Sequence, residues 1–350
     1  MTSDLESFEQ NISSETTFGF LSSLTLKDGY IICQLISSFV AVLLNVTVLL
    51  LTFTTKNRVL RNYCAVIWIG VAGDTLYSIV HFIVIPVIEV RKGHMYYINL
   101  GVFANLSYPY NFLSIAFWLT ACYNSIAALA MQFIYRYSAL CRIRPFTIAE
   151  YIGIYSIGAT MSLLLGFYCF ICHEDETPVH TEIFVGESIF GLGKPGYIVG
   201  DPNDMLSMTH FLGSQMMMII LYIIIFKTYR MIEQRLKQDF RNMSAHTMHA
   251  HEVLSTVMKL QATYPFVIIG MPIFVSTILT MLKLDCWWSG LYVCTSSSLI
   301  SIINPLTVIT QVPWFKQQLL WVFTRKKVNI YSTNISNTSL PTNVEGKSQN

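Results

Sequence analysis

Polar and ionisable side chains inside long apolar segments are the residues of this chain best placed to do chemistry. Asp74 and Asn45 each lie halfway along such a segment, and Asn304 precedes Pro305 late in another. A carboxylate near the centre of a bilayer costs about 2.5–3.5 kcal/mol on insertion scales, so it is expected to face a bundle interior. We therefore expect these side chains to meet in one polar cluster. Two interpretations stay open: hydrogen bonds that only hold helices together, or a network that repacks when the protein changes state.

One arginine flanked by two tyrosines, Tyr135-Arg136-Tyr137, ends the third apolar segment. An arginine at a membrane boundary commonly extends its charged group into the interface, beside a belt of aromatic rings. The other interpretation is that Arg136 contacts a cytoplasmic partner when the helices separate. From these residues alone, the anchoring interpretation is favoured.

Catalytic signatures are lacking in the sequence. It contains no glycine-rich phosphate loop, no paired carboxylates on the inner side, and no Cys/His set with metal-ligand spacing inside the apolar segments. His246, His249 and His251 form a local cluster, for which a solvated loop is favoured over a metal site. We expect neither an enzyme nor a cofactor or resident metal.

The composition indicates an integral membrane protein. Of the 350 residues, 53% are hydrophobic and 12% charged, whereas soluble domains carry about 25% charged residues. The net charge of +2 gives no field that would favour nucleic acid.

Seven apolar segments are long enough to cross about 30 Å of hydrocarbon. Their apolar residues run continuously instead of alternating, which excludes an outer-membrane barrel. The predicted fold is an all-α membrane protein, a seven-transmembrane helix bundle. The predicted spans are 30–53, 63–88, 102–131, 148–172, 207–226, 260–282 and 287–310.

The basic residues predict the orientation of the bundle. With the N-terminus outside, 17 of the 22 Lys and Arg residues fall on the inner side, as the positive-inside rule requires. We predict an extracellular segment 1–29, the seven-helix domain 30–312 and a cytoplasmic tail 313–350. The tail is rich in Ser, Thr and Asn and is expected to be disordered from about residue 329. Asn11-Ile-Ser13 in the outer segment is a predicted glycosylation site.

Several motifs in order give the chain a specific resemblance. The third span ends in FIYRYSAL, the sixth begins Gln261-Ala-Thr-Tyr-Pro265 with Pro272 following, and the seventh carries Asn304-Pro305-Leu306. This order resembles G-protein-coupled receptors, and more narrowly the nematode serpentine chemoreceptors of the Str/Srj/Srd group, over about residues 30–320.

The resemblance implies a receptor in the plasma membrane, in the sensory cilium of a chemosensory neuron. Its implied partners are a small-molecule chemical cue and a heterotrimeric G protein, besides the lipid bilayer. Arg136 would be the arginine of the third-span motif. Pro265 and Pro272 would shape a moving sixth helix, and Asn304-Pro305 the bend of the seventh. The basic segment 227–251 is expected to continue the fifth helix and either to bind the anionic leaflet or to dock a partner.

The chain departs from rhodopsin-like receptors at three places. Tyr135 replaces the acid before the arginine, Val308 replaces the tyrosine after the Asn-Pro pair, and the outer end of the third span has no cysteine. A disulfide joining Cys169 or Cys172 to Cys286 is one alternative for the outer cysteines. Buried thiols are the favoured alternative.

The outer half of the bundle is the predicted ligand pocket. Asn111, Ser114 and Trp118 recur at helical spacing on the third span, although such a stripe is more often bundle core. Further candidates are Tyr108, Gln215, Thr277 and Trp287.

Two other classes of protein stay open. One is a ligand-gated channel or transporter, which would place polar residues along one continuous path, whereas Asp74 is solitary. The other is a non-signalling seven-span trafficking protein.

Overall fold

The computed structural model describes residues 26–54, 58–104, 106–187, 196–239 and 245–324. Within these ranges, seven helical segments are long and apolar enough to cross a membrane. The predicted seven-helix membrane bundle is confirmed.

The seven spans are formed by the following helices. The first two spans are α1 and α2, and the third and fourth are α3 and α4, the fourth extended by a short α5. The fifth span is α7, the seventh is α10, and the sixth is α8 and α9 joined by a π-helical turn. The bounds are α1 Leu26–Thr54, α2 Arg58–Val84, α3 Tyr110–Cys141, α4 Ile148–Phe167, α5 Cys169–Cys172, α6 Pro178–Glu187, α7 Met205–Asp239, α8 Ala245–Pro265, the π turn Phe266–Gly270, α9 Met271–Met281, α10 Trp287–Gln311 and α11 Pro313–Thr324.

A three-stranded antiparallel sheet, which the sequence did not suggest, lies in the connections. Its strands are β1 Pro86–Arg91, β2 His94–Asn99 and β3 Tyr197–Gly200, in the order β1-β2-β3. The β1–β2 turn places Lys92 and Gly93 at positive φ, the backbone conformation of a tight hairpin. We call the end of the bundle that carries residues 86–99 the hairpin end.

The second predicted span extends too far. Its apolar run continues to Ile88, but α2 ends at Val84 and Ile88 lies in β1. Val87 and Val90 are fully buried, so the apolar residues after Val84 serve a buried strand and not a membrane helix. Periodicity alone does not separate these two uses of an apolar run.

The third predicted span starts too early and stops too soon. Helix α3 begins at Tyr110, after Pro109 at its N-cap, and a proline lacks the N–H that an interior helical position needs. The helix continues to Cys141, so Arg136 lies within it. At 1.5 Å per residue, Arg136 is about 39 Å from Tyr110. We call that far end of the bundle the Arg136 end.

Helix α3 is the centre of the bundle and packs on α2, α4 and α7. At Gly166 of α4 the two backbones approach so closely that a Cβ would lie 2.8 Å from the carbonyl oxygen of Ala116. Helix α4 itself starts with a capping box, in which Thr147 and Glu150 exchange hydrogen bonds. The glycine at position 166 allows this close packing of α4 on α3.

Candidate ligand cavity and polar switch cluster

A cavity of about 70 Å³ lies among α3, α7, α9, α10 and the hairpin. One water takes about 10–15 Å³ of such a cavity volume, so this cavity has room for roughly five waters. Its walls are mainly apolar and aromatic, and include Tyr97, Trp118, Tyr123, Phe211, Met218 and Ile273. A mainly apolar wall with a few polar groups is typical of small-molecule sites.

Polar groups of α7, α9 and α10 line this cavity, among them Gln215, Ser276, Thr277 and Ser297. The amide of Gln215 donates a hydrogen bond to Thr277 Oγ1 at 3.0 Å. The neighbouring Ser276 Oγ is buried and has no hydrogen-bond partner. A buried hydroxyl without a partner is energetically unfavourable, and this one lines the cavity. Ser276 is therefore free to bind a polar group of a ligand.

The predicted pocket residues divide into two groups. Trp118, Gln215 and Thr277 line the cavity. Asn111 instead donates to Asp175 Oδ1 at 3.0 Å, and Ser114 accepts from Asn99 at 2.7 Å. Asn111 and Ser114 therefore fix residues of the connections at the hairpin end. They can do so because α3 starts at Tyr110, about one turn or less before them.

Tyr108 does not line it either. Tyr108 is 59% exposed. Trp287 begins α10, and its side chain lies outside the described part of the chain.

A buried network around His81, which sequence reasoning missed, adjoins the cavity through Trp118. Trp118 Nε1 lies 3.3 Å from His81 Nδ1, and an indole N–H can only donate. His81 Nδ1 therefore accepts, and Nε2 carries the proton that it donates to Gln34 Oε1 at 2.9 Å. Gln34 then donates to Thr295 on α10 at 3.2 Å. The network joins α1, α2, α3 and α10.

The predicted polar cluster is assembled midway along the bundle. Asn304 Nδ2 donates to Asp74 Oδ2 at 3.1 Å, and Ser125 Oγ donates to Asp74 Oδ1 at 3.4 Å. Asn45 donates to the carbonyl of Ser301 at 3.2 Å. Helices α1, α2, α3 and α10 are thereby tied together through one carboxyl group and two amides.

A second, smaller cavity joins this cluster to Arg136. Its volume is about 20 Å³, enough for roughly one water. Asp74, Asn45 and Asn304 line it together with Pro305 and Arg136. Arg136 is only 2% exposed, so the side chain points into the bundle instead of anchoring at the membrane surface. The two tyrosines beside it pack sideways, Tyr135 stacking on Tyr151 with ring centroids 4.7 Å apart.

The two prolines of the sixth span enclose an irregular turn. Pro265 ends α8, the π turn follows, and Pro272 lies in the first turn of α9. Met271 N–H bonds to the carbonyl of Phe266, five residues earlier. Pro272 has no N–H to offer the carbonyl four residues before it, and π turns inside helices are frequent at functional positions.

The eight cysteines form no disulfide among the described residues. Cys169, Cys172 and Cys286 are all buried, and Cys169 Sγ donates to the carbonyl of Phe112 at 3.9 Å. The structure therefore has buried thiols, the favoured alternative, and no disulfide bridge to Cys286. Three other expectations lie outside the described residues or side chains: glycosylation at Asn11, the cluster His246, His249 and His251, and disorder of the tail from residue 329.

Comparison with solved structures identifies the fold. Squid rhodopsin has the same fold, with a TM-score of 0.62 and 15% sequence identity over 87% of this chain and 88% of that one. The fold is thus that of rhodopsin-like G-protein-coupled receptors.

Comparison with family models identifies the family. The model for the serpentine type 7TM GPCR chemoreceptor Srd matches residues 30–321, and the chain belongs to that family. The family suggested by the sequence motifs is confirmed. A comparison with curated proteins found no match.

Proposed function

We propose that this protein is a chemosensory receptor that binds a small environmental molecule and activates a heterotrimeric G protein. In this proposal the hairpin end and segment 1–29 are extracellular, residues 30–312 form the receptor domain, and the tail 313–350 is cytoplasmic. Its location is the plasma membrane of a sensory cilium. The charge distribution and the family support this assignment.

The observation that carries the proposal is that the sixth span lines both cavities, one on each side of its π turn. Ile273, Ser276 and Thr277, beyond the π turn, face the 70 Å³ cavity. Val257 and Gln261, before it, face the 20 Å³ cavity beside Arg136. A ligand that binds more tightly to one arrangement of α9 shifts the population of the whole span toward that arrangement.

The cavity favours a small, mainly apolar ligand with one or two hydrogen-bonding groups. Its size corresponds to a handful of non-hydrogen atoms, well below the about 300–1,000 Å³ of sites for drug-sized molecules. Gln215, Ser276 and Thr277 are the groups that would orient the polar end of such a molecule.

The Arg136 end is the proposed G-protein surface. Helix α7 continues to Asp239 and carries Lys227, Arg230, Arg235 and Lys237 beyond the predicted span. When α8 moves away from α3, Arg136 and this basic extension would face the same partner. Tyr135 and Tyr137 would hold the arginine in place through their packing.

A ligand screen in cells tests the proposal. Cells expressing the receptor and a sensor of G-protein dissociation are exposed to a panel of small, mainly apolar molecules. The Arg136→Ala variant is compared with Arg142→Ala, whose guanidinium lies 4.0 Å above the ring of Phe146 at the same end. With equal surface expression, Arg136→Ala is expected to weaken the response by about 5–150-fold, the usual range of coupling between sites, and Arg142→Ala to preserve it.

The other outcomes identify the other classes of protein. Full signalling by Arg136→Ala at normal surface levels would contradict the proposed role of the arginine. A ligand-evoked current that persists without any G protein would indicate a channel or transporter. Ligand responses that survive mutation of Gln215, Ser276 and Thr277 would place the binding site elsewhere.

A further inference from the structure

Cys172, His173 and His210 form a compact buried cluster at the hairpin end. Cys172 ends α5, His173 follows it, and His210 lies in the second turn of α7. Cys172 Sγ and His173 Nδ1 are 2.8 Å apart, and the two imidazole rings meet edge to face at 5.1 Å. One ligand atom from each residue lies within 4.8 Å of the other two.

Three of the four imidazole nitrogens in this cluster lack a hydrogen bond of regular geometry. They are His173 Nε2 and both ring nitrogens of His210, and all three are buried. The backbone carbonyl of Leu165 also interacts with the ring of His210. The exposed fractions are 7% for His173 and 1% for His210, so water does not reach these atoms. Buried polar atoms in native proteins are nearly always satisfied, and exceptions require an explanation such as an ion.

We propose that Cys172, His173 and His210 form a transition-metal site that binds Zn²⁺. One thiolate with two imidazoles is a ligand set that suits Zn²⁺ and excludes Mg²⁺ and Ca²⁺, which prefer oxygen ligands. Binding releases the thiol proton of Cys172, because the thiolate is the ligand. The three protein ligands leave the fourth position of a tetrahedral site open.

The geometry needs only a small side-chain adjustment. A tetrahedral ion with Zn–S of about 2.3 Å and Zn–N of about 2.0–2.1 Å separates sulfur and nitrogen ligands by roughly 3.5 Å. The present 2.8 Å between Cys172 Sγ and His173 Nδ1 must therefore lengthen when the ion replaces the proton.

A bound ion would join the fourth and fifth spans at the wall of the larger cavity. His173 packs edge to face on Tyr97 at 5.1 Å and on Phe211 at 6.2 Å. Both of these rings line the cavity. The metal would link α7 directly to α5. A hydrogen bond from Ser207 Oγ to the backbone carbonyl of Cys172 already joins the same two helices.

Metal binding by purified full-length receptor tests the proposal without reference to signalling. Zn²⁺ affinity is measured by competition with a chromophoric chelator, and Co²⁺ is used as a spectroscopic probe of the thiolate. Cys172→Ser and His210→Ala remove ligands. Cys169→Ser and His180→Ala are the matched controls, since Cys169 is a buried thiol one turn earlier and His180 is a histidine of the same connection paired with Glu174.

The proposal expects wild type and both controls to bind Zn²⁺ and to show a sulfur-to-cobalt charge-transfer band. Each ligand variant should lose the band or at least about tenfold in affinity, the lower end of what metal-site mutations cost. Binding at His246, His249 and His251 would be equal in all variants and would give no thiolate band. Wild-type receptor with no such band, or with the same band in Cys172→Ser, would overturn the proposal. The wild-type spectrum decides the question even where a variant fails to fold.

Discussion

The hydroxyl of Ser276 and the ring of His81 represent the two kinds of buried polar group in this bundle. His81 is fully satisfied, with Trp118 donating to one nitrogen and Gln34 accepting from the other. Ser276 Oγ has no partner and faces the cavity. Satisfied groups fix the packing of the helices, whereas an unsatisfied group in a cavity wall is available to a ligand.

Ser276→Ala should therefore affect ligand recognition more than stability. No protein hydrogen bond is lost, so the thermal midpoint Tm of the purified receptor should stay the same or rise. For a ligand that hydrogen-bonds to Ser276, the half-maximal concentration for signalling should rise by up to about tenfold, since a neutral hydrogen bond contributes about 0.5–1.5 kcal/mol. Concentration–response curves measure the shift.

The control is Ser162→Ala, because Ser162 is buried on α4 and bonds only to the carbonyl of Gly158 in its own helix. It lies outside the residues that line the cavity. Equal shifts in both variants would show that Ser276 does not contact the ligand.

At the scale of elements, the contact of α3 with α4 depends on the absence of a side chain. A Cβ at Gly166 would meet the backbone of Ala116 and Thr120, each at 2.8 Å. Gly166→Ala should separate the two helices and lower the Tm, with a cost of about 1–3 kcal/mol for overpacking.

Gly153 of the same helix provides the comparison. A Cβ there meets nothing within 4 Å, so Gly153→Ala should leave the Tm unchanged or raise it, because alanine favours helix by roughly 0.5–1 kcal/mol over glycine. A Tm for Gly166→Ala at or above that of Gly153→Ala would contradict the close packing.

Because a π turn separates the two prolines of the sixth span, we expect removal of the second one, Pro272, to impair signalling. Pro272→Ala restores an N–H to the helix and favours a regular α-helix through residues 266–272. We expect a reduced maximal response with normal surface expression, measured by G-protein dissociation at saturating ligand. Pro178→Ala, at the start of α6 in a connection, is the control. An unchanged maximal response for Pro272→Ala would show that the turn is only a structural irregularity.

At the scale of the whole molecule, the asymmetry of basic residues predicts the orientation in the membrane. An epitope at the N-terminus should be accessible on intact cells, and one at the C-terminus only after permeabilisation. Asn11→Gln should increase electrophoretic mobility by removing one glycan. A C-terminal epitope accessible on intact cells would reverse the proposed orientation.

The elements differ in how far sequence predicted them. The bounds of the fourth span and of the seventh helix were predicted within a residue, because their apolar runs coincide with the helices. The second and third were misplaced, because apolarity also serves the buried strand β1, and because Pro109 delays the start of α3. Hydropathy measures removal from water, and it does not distinguish lipid from a protein interior.

The sequence by itself determined the class of fold and the family, and it predicts an orientation, because these follow from local composition, motifs in order and charge. It also predicted that Asp74, Asn45 and Asn304 meet, since a costly buried polar group must find a partner. Only the tertiary structure placed Ser276 in a cavity wall and His81 between Gln34 and Trp118. It also brought His210 next to Cys172 and His173. Their spacing along the chain carries no signal, because each contact is made by helices that meet through packing and not through sequence neighbourhood.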